Sequence, residues 1–231
     1  MTIIDCKELV LGYQEPLNKS LNLNIPENKW LGIIGENGIG KSTFLKTILG
    51  EVKPLSGELT VMGQAIGKNN AIISYIPQLR EINLSDNMSG LSLVQSSYLG
   101  WKLGLPFFSK KLHQEVLRLI ALVGATKYML QPFNTLSGGQ KKRIYLAQAL
   151  INKPKLLLLD EPLADLDQNA RGHFIMALQE IHQAQELSML IISHDMHEIA
   201  TYLDGFIHFK EGKIHYCNEV PCVKGDAYVG V

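Results

Sequence analysis

The sequence predicts an α/β fold built round a phosphate-binding loop, with a strand-rich start and an α-helical insertion in its middle. Three observations carry that prediction. The apolar run Trp30-Leu31-Gly32-Ile33-Ile34 passes directly into Gly35-Glu36-Asn37-Gly38-Ile39-Gly40-Lys41-Ser42-Thr43, which matches G-x-x-x-x-G-K-[ST] in a strand–loop–helix setting. A second apolar run, Leu156 to Leu159, ends in Asp160-Glu161-Pro162. Between the two, from about Leu91 to Ile151, apolar residues recur at helical spacing.

Taken in order, the runs Ile3 to Val10, Leu21 to Ile25 and Trp30 to Ile34 read as strands, a helix starts near Lys41, and Gly57 to Met62 reads as a further strand. Leu112, Val116, Leu119, Ile120 and Val123 form one helical stripe, which Gly124 closes. Ile144, Ala147 and Ile151 form a second, and Phe174, Ile175, Leu178 and Ile181 a third, with strands at Leu156 to Leu159 and Met189 to Ile192. The chain contains no internal repeat and no low-complexity tract. The expectation is one domain over residues 1–231: a nucleotide-binding core of 1–78 and 154–231, with a helical subdomain at 79–153.

The chemistry of the loop follows from its residue types. Glycines 35, 38 and 40 let the backbone fold tightly enough to aim N–H groups at phosphate oxygens, and the helix at Lys41 adds its positive N-terminal end. Lys41 reaches the β and γ phosphates as a point charge, and the Ser42 hydroxyl is placed to ligate Mg²⁺. At the carboxyl edge of the second apolar run, Asp160 is suited to hold Mg²⁺ through its hydration shell. Glu161 is suited to polarise a water attacking the γ-phosphate.

A third feature, Leu136-Ser137-Gly138-Gly139-Gln140, lies between these motifs. A serine and two glycines at a helix start expose N–H groups and a hydroxyl to an anion, the same device as the phosphate loop. An ordinary cap explains Ser137 but not two consecutive glycines, which weaken a helix start.

With these residues in view, nearly the whole chain resembles an ATP-binding cassette (ABC) ATPase, of the kind that powers ABC transporters. Leu136 to Gln140 matches that family's signature sequence. Ile192-Ser193-His194-Asp195 is similar to its switch-histidine segment, Gln78 after Tyr75-Ile76-Pro77 to its glutamine loop, and Asp165-Leu166-Asp167 to the loop after the catalytic glutamate. Tyr13 stands where the family places an aromatic ring against adenine.

The resemblance implies a P-loop NTPase core with an antiparallel β region and an inserted α-helical subdomain. It implies ATP and Mg²⁺ as cofactors, and Glu161, His194, Lys41 and Gln78 as the catalytic group. Nucleotide would be bound by Tyr13, Gly35, Asn37, Gly38, Gly40, Lys41, Ser42 and Thr43, with Ser42, Gln78 and Asp160 round the metal. It also implies a head-to-tail homodimer, in which Ser137, Gly138, Gly139 and Gln140 of one copy close over the γ-phosphate held by the other.

Alternatives stay open for single residues. Tyr13 could pack against the core, His194 could be a structural donor at a strand end, and Gln78 could be an ordinary loop residue. Three departures from the family's commonest pattern are Leu163, Asp165 and Gln148. None removes a catalytic group, but Asp165 adds a charge to a loop expected at the dimer interface and bears on coupling between the two ATP sites.

Composition bounds the partners. Lys plus Arg and Asp plus Glu are equal at 22 each, which gives no reason to expect nucleic acid. No stretch approaches the roughly 18 apolar residues of a spanning helix, and no basic and apolar leader opens the chain, so a cytoplasmic location is expected. Three cysteines suit a reducing compartment. His215, Cys217 and Cys222 lie close together, and a metal-sensing tail and ordinary core thiols are both open readings.

The stretch Leu91 to Phe108 carries Leu91, Leu93, Val94, Tyr98, Leu99, Trp101, Leu103, Leu105, Phe107 and Phe108. Either these close the helical subdomain's core, or some of them, within residues 79–110, receive an integral membrane permease subunit on the inner face of a bacterial membrane. Ser193 to His197 is most similar to the ATPase subunits of bacterial zinc or manganese importers. A siderophore or haem importer, an exporter and a soluble ABC protein are the alternatives.

Overall fold

The computed structural model describes residues 1–68, 70–78, 88–98, 110–194 and 196–217. Two sheets organise it. Strands β1 (Thr2–Val10), β2 (Leu21–Pro26), β4 (Ser56–Val61) and β5 (Gln64–Ala65) form an antiparallel sheet in the order β2-β1-β4-β5. The other sheet runs β10-β9-β3-β8-β7-β6, from β3 (Trp30–Ile34), β6 (Ile73–Ile76), β7 (Leu156–Asp160), β8 (Ser188–Ile192), β9 (Gly205–Lys210) and β10 (Lys213–Cys217). Its four pairings from β9 to β6 are parallel, and β10 folds back on β9 as a hairpin.

The apolar runs are continuous because their strands are covered on both faces, as parallel sheets require. Alternate residues serve different cores. Leu31, Ile33, Leu156, Leu158, Leu190 and Ile192 pack with β1, β2, β4 and the helix α1 (Lys41–Ile48). Trp30, Ile34, Leu157, Leu159, Met189 and Ile191 pack with α4 (Gly138–Leu150), α5 (Gln168–Ala184) and the shorter α2 (Gly90–Ser96) and α3 (Lys110–Leu122). Leu156 to Leu159 have no exposed surface at all, so each contributes about 1.5–3 kcal/mol through burial.

Helix α3 ends at the glycine that its sequence offers as a stop. Gly124 takes φ +69°, its N–H reaches the Ala121 carbonyl and that of Ala125 reaches Ile120, which closes α3 with a Schellman motif. Within α2, Leu93 and Val94 are buried and Leu91 packs against the core, while Tyr98 beyond it is exposed. Leu99, Trp101, Leu103, Leu105, Phe107 and Phe108 lie outside the described residues, as does most of the segment expected to meet a membrane partner. The periodic stretch from Leu91 to Ile151 is thus three described helices and a 3₁₀ turn rather than one continuous pattern. The chain leaves the sheet at Ile76 and returns at Leu156, on strands that pair directly with one another. Strands β5, β6, β9 and β10 are additional to those the sequence pattern predicts.

Candidate functional site

Strand β3 delivers the phosphate loop at the carboxyl edge of the parallel sheet. Gly35 takes φ +150° with β9 so close that a Cβ would stand 2.6 Å from the Phe209 carbonyl oxygen. Gly40, at φ +110°, is the N-cap of α1 and supplies no side chain to it, so the helix start keeps its N–H groups turned outward for a ligand. The Lys41 ammonium donates to the carbonyls of Gly35 and Glu36, each at 2.8 Å, which holds it across the loop. Burial pulls the Lys41 pKa below its usual value, and the carboxylates of Glu161 and Asp160 oppose that shift.

The facing wall is the end of β7. Asp160 is buried, and its two carboxylate oxygens accept from the Ser42 hydroxyl at 3.4 Å and the Tyr75 hydroxyl at 3.3 Å. Burial and the Asp160 charge push the Tyr75 phenol up. Glu161 follows at φ +51°, a left-handed conformation that costs a non-glycine residue about 1–3 kcal/mol and persists only where the surroundings enforce it. Its N–H donates to the Ile192 carbonyl at 2.9 Å, one enforcing contact.

The Glu161 side chain is buried and meets His194 twice. The His194 backbone N–H donates to Oε2 at 3.2 Å, and imidazole Nε2 lies 3.3 Å from Oε1. Burial raises the Glu161 carboxyl above the ordinary range, and His194 draws it part of the way back. The imidazole itself is largely exposed, so the pair presents a buried carboxylate under an accessible ring.

One cavity of about 210 Å³ joins these groups. Asn37, Gly38, Gly40, Lys41, Ser42, Thr43, Gln78, Asp160, Glu161 and His194 line it, together with Ile192. Gln78 stands two residues beyond β6 and is exposed on that rim. Gly35 contributes through its carbonyl on Lys41.

The remaining predicted residues lie elsewhere. Tyr13 is 62% exposed, which excludes core packing for it. Its loop is fixed by the buried Asn18, which accepts from the Leu11 N–H at 2.6 Å and donates to the Leu9 carbonyl at 3.0 Å. The same loop borders the phosphate loop, since a Cβ on Gly40 would be 3.2 Å from Leu17 Cδ1. Ser137 to Gln140 open α4 and are absent from the cavity lining. Ser137 and Gln140 form a capping box, with the Ser137 N–H donating to Gln140 Oε1 at 2.9 Å and the Gln140 N–H to Ser137 Oγ at 3.3 Å. Gln140 is therefore occupied within its own helix turn. Gly138 is open, with nothing within 4 Å of a Cβ placed there.

Of the sequence departures, Leu163 is buried, Gln148 is half-buried beside Tyr75, and Asp165 is exposed at φ +60°. His215 pairs across the hairpin with His208, Cys217 is half-buried, and Cys222 and Asp195 lie outside the described residues. Among the described residues no group of three His, Cys, Asp or Glu could hold a metal ion. His197 is exposed in a short 3₁₀ turn. Sequence reasoning missed Tyr75 and the Ile192 carbonyl, whose parts are set by strand pairing; an aromatic residue in the short run before Gln78 was the available signal for Tyr75.

Comparison with known proteins agrees with this geometry. A family model described as ABC transporter matches residues 18–164. The high-affinity zinc uptake system ATP-binding protein ZnuC of Bacillus subtilis (strain 168) is 29% identical over 92% of this chain and 93% of its own length. The manganese transport system ATP-binding protein MntB of the same organism is 31% identical over 90% of this chain and 82% of its own. The spermidine/putrescine import ATP-binding protein PotA of Borreliella afzelii (strain PKo) is 32% identical over 92% of this chain, which spans 61% of that relative. Among solved structures, cbiO1 from Clostridium perfringens, part of the ABC transporter complex cbiONQ, superposes with TM-score 0.80 at 27% identity, covering 94% of this chain and 88% of cbiO1. With a phosphate loop, a buried acid pair and a histidine assembled round one cavity, the chain belongs to the ABC transporter family as an ATP-binding subunit that hydrolyses ATP.

Proposed function

We propose that the chain drives a bacterial metal-ion importer for zinc or manganese, as a head-to-tail pair of copies docked on integral membrane permease subunits at the cytoplasmic face. The observation that carries the hydrolytic reading is the double contact of His194 on a buried Glu161, in the cavity that also holds Lys41. Lys41 and the loop N–H groups bind the phosphates, Glu161 takes a proton from the attacking water, and His194 holds the base and faces the γ-phosphate. Asn37, Gly38, Gly40 and Thr43 shape the phosphate cradle, and Tyr13, exposed beside it, stacks on adenine.

Ser42 Oγ and the Asp160 carboxylate, 3.4 Å apart, are hard oxygen donors in the same cavity as Gln78 and suit Mg²⁺. When bound, that ion neutralises charge on the phosphates. The exposed start of α4, with open space round Gly138 and no part in this chain's own cavity, supports a signature that serves a second copy. A helical subdomain at 79–153 fits the exit at Ile76 and the return at Leu156.

The cargo reading rests on the resemblance of Ser193 to His197 and on the zinc and manganese relatives, and the polyamine relative supplies its rival. No described helix is long and apolar enough to cross a membrane, which fits a subunit that needs a membrane partner. The test is to trap tagged Glu161→Gln with ATP, solubilise membranes and identify stoichiometric partners, alongside growth of a deletion strain. A multi-span partner with growth restored by zinc or manganese is expected. Restoration by polyamine alone would overturn the metal assignment, and recovery only with cytosolic proteins would overturn transport.

A further inference from the structure

Lys142, one turn into α4, is buried at 6% exposure, although it lies on the helix that begins with the exposed signature. Its ammonium donates to the Ala164 carbonyl. Opposite charges on Asp165 and Glu161 face it, and Arg171 of α5 adds a like charge. Ala164 sits in the turn between Glu161 and Asp165, both left-handed at φ +51° and +60°. The two segments also touch further up, where a Cβ on Gly139 would stand 3.3 Å from Ala170 Cβ and 3.4 Å from Leu166 Cδ2. A buried ammonium is costly unless it is hydrogen-bonded and compensated, and an apolar side chain would pack here without that cost. Its presence therefore points to a use.

We propose that Lys142 is a positioning residue for hydrolysis: from the signature helix it grips the Ala164 carbonyl and faces Asp165, fixing the turn that carries Glu161. The signature of a chain and the base of that same chain then move as one body. When Ser137 to Gly139 engage nucleotide on a second copy, the displacement of α4 is transmitted to Glu161 at the chain's own nucleotide. This rests on the reading of Glu161 as the base.

The full-length protein tests it through ATP affinity, steady-state kcat and KM, and melting temperature, for Lys142→Met, Lys142→Gln and Lys142→Arg with Glu161→Gln as control. Lys142→Met is expected to lower kcat about tenfold with KM for ATP within about twofold, and Lys142→Arg to recover most of the loss. If Lys142→Met does not fold, Lys142→Gln is judged by the same split. Unchanged kcat per folded molecule, or equal loss of kcat and ATP affinity, would overturn the positioning role. Turnover by Glu161→Gln would overturn both readings together, whereas active Lys142 variants beside an inactive Glu161→Gln would remove this inference alone.

Discussion

Both oxygens of the Glu161 carboxylate are held by one residue: the His194 N–H reaches Oε2 at 3.2 Å and imidazole Nε2 lies 3.3 Å from Oε1. A backbone contact and a side-chain contact from the same residue divide naturally in an experiment. His194→Ala keeps the first and loses the second, so the carboxylate stays located while losing its charge partner. Expected outcomes are turnover reduced about a hundredfold for His194→Ala and a thousandfold or more for Glu161→Gln, with ATP still bound by both. Single-turnover hydrolysis alongside nucleotide binding checks this, and near-normal turnover of Glu161→Gln would remove it as the base.

Lys41 separates binding from chemistry in the opposite sense. Its ammonium is already held by the Gly35 and Glu36 carbonyls, so little side-chain order remains to be imposed when phosphate arrives. Lys41→Ala should weaken ATP affinity about a hundredfold, measured by fluorescent nucleotide titration, with the fold intact by circular dichroism.

Ser137 caps its helix and stands at the proposed interface, and one substitution distinguishes these parts. Aspartate is as good an N-cap as serine, so Ser137→Asp should leave the melting temperature within a few degrees. It sets a negative charge against the γ-phosphate of the other copy, so ATP-dependent dimerisation of the Glu161→Gln background should be lost in size-exclusion chromatography with light scattering. Retained dimerisation would place Ser137 outside the interface.

Gly35 has no room to change. Alanine there meets the Phe209 carbonyl at 2.6 Å in a backbone region that side chains rarely adopt. Gly35→Ala should cost about 2–4 kcal/mol in urea unfolding and disturb the loop with it. A cost under about 0.5 kcal/mol would show that β9 yields readily.

Cys6 lies buried in β1, and burial, helped by the charge of Asp5, pushes its thiol from 9.0 up to about 12. The thiolate is the reactive form, so native protein at pH 8 should resist iodoacetamide at Cys6 while urea-unfolded protein is labelled there. Because the folded value is the higher one, the neutral thiol favours the folded state fully below pH 9, and this contribution declines as pH rises from 9 towards 12. Mass spectrometry of the labelled peptide reads the first effect, and alkaline unfolding of Cys6→Ala against the parent chain reads the second.

The parts legible in sequence are those in which residue type and spacing carry the physics. Leu156 to Leu159 reads as a strand because both of its faces are buried, and the loop from Gly35 to Lys41 is legible because its turns demand glycines at fixed offsets, where Gly35, Gly38 and Gly40 all take positive φ. Strand β6, Ile73–Ile76, is too short to announce a period, and β9 interrupts its apolar run with His208. Tyr75 reaches Asp160 only through the pairing of β6 with β7, 85 residues apart in sequence. Lys142 reads as one more charge on a polar helix until the turn at Ala164 is folded against it. No local pattern records such meetings.

Alternation along β7 reaches beyond packing. Counting from Leu156 and Leu158, Asp160 falls on the side shared with α1, and there it meets Ser42 and Tyr75. Glu161, one step on, leaves the strand at φ +51° and so escapes the alternation, which turns its carboxylate into the same cavity, against His194. Two neighbouring acids thus meet different partners because one obeys the alternation of the strand and the next departs from it. Deleting a single leucine from the run would turn Asp160 away from Ser42 and Tyr75 while leaving every motif letter in place.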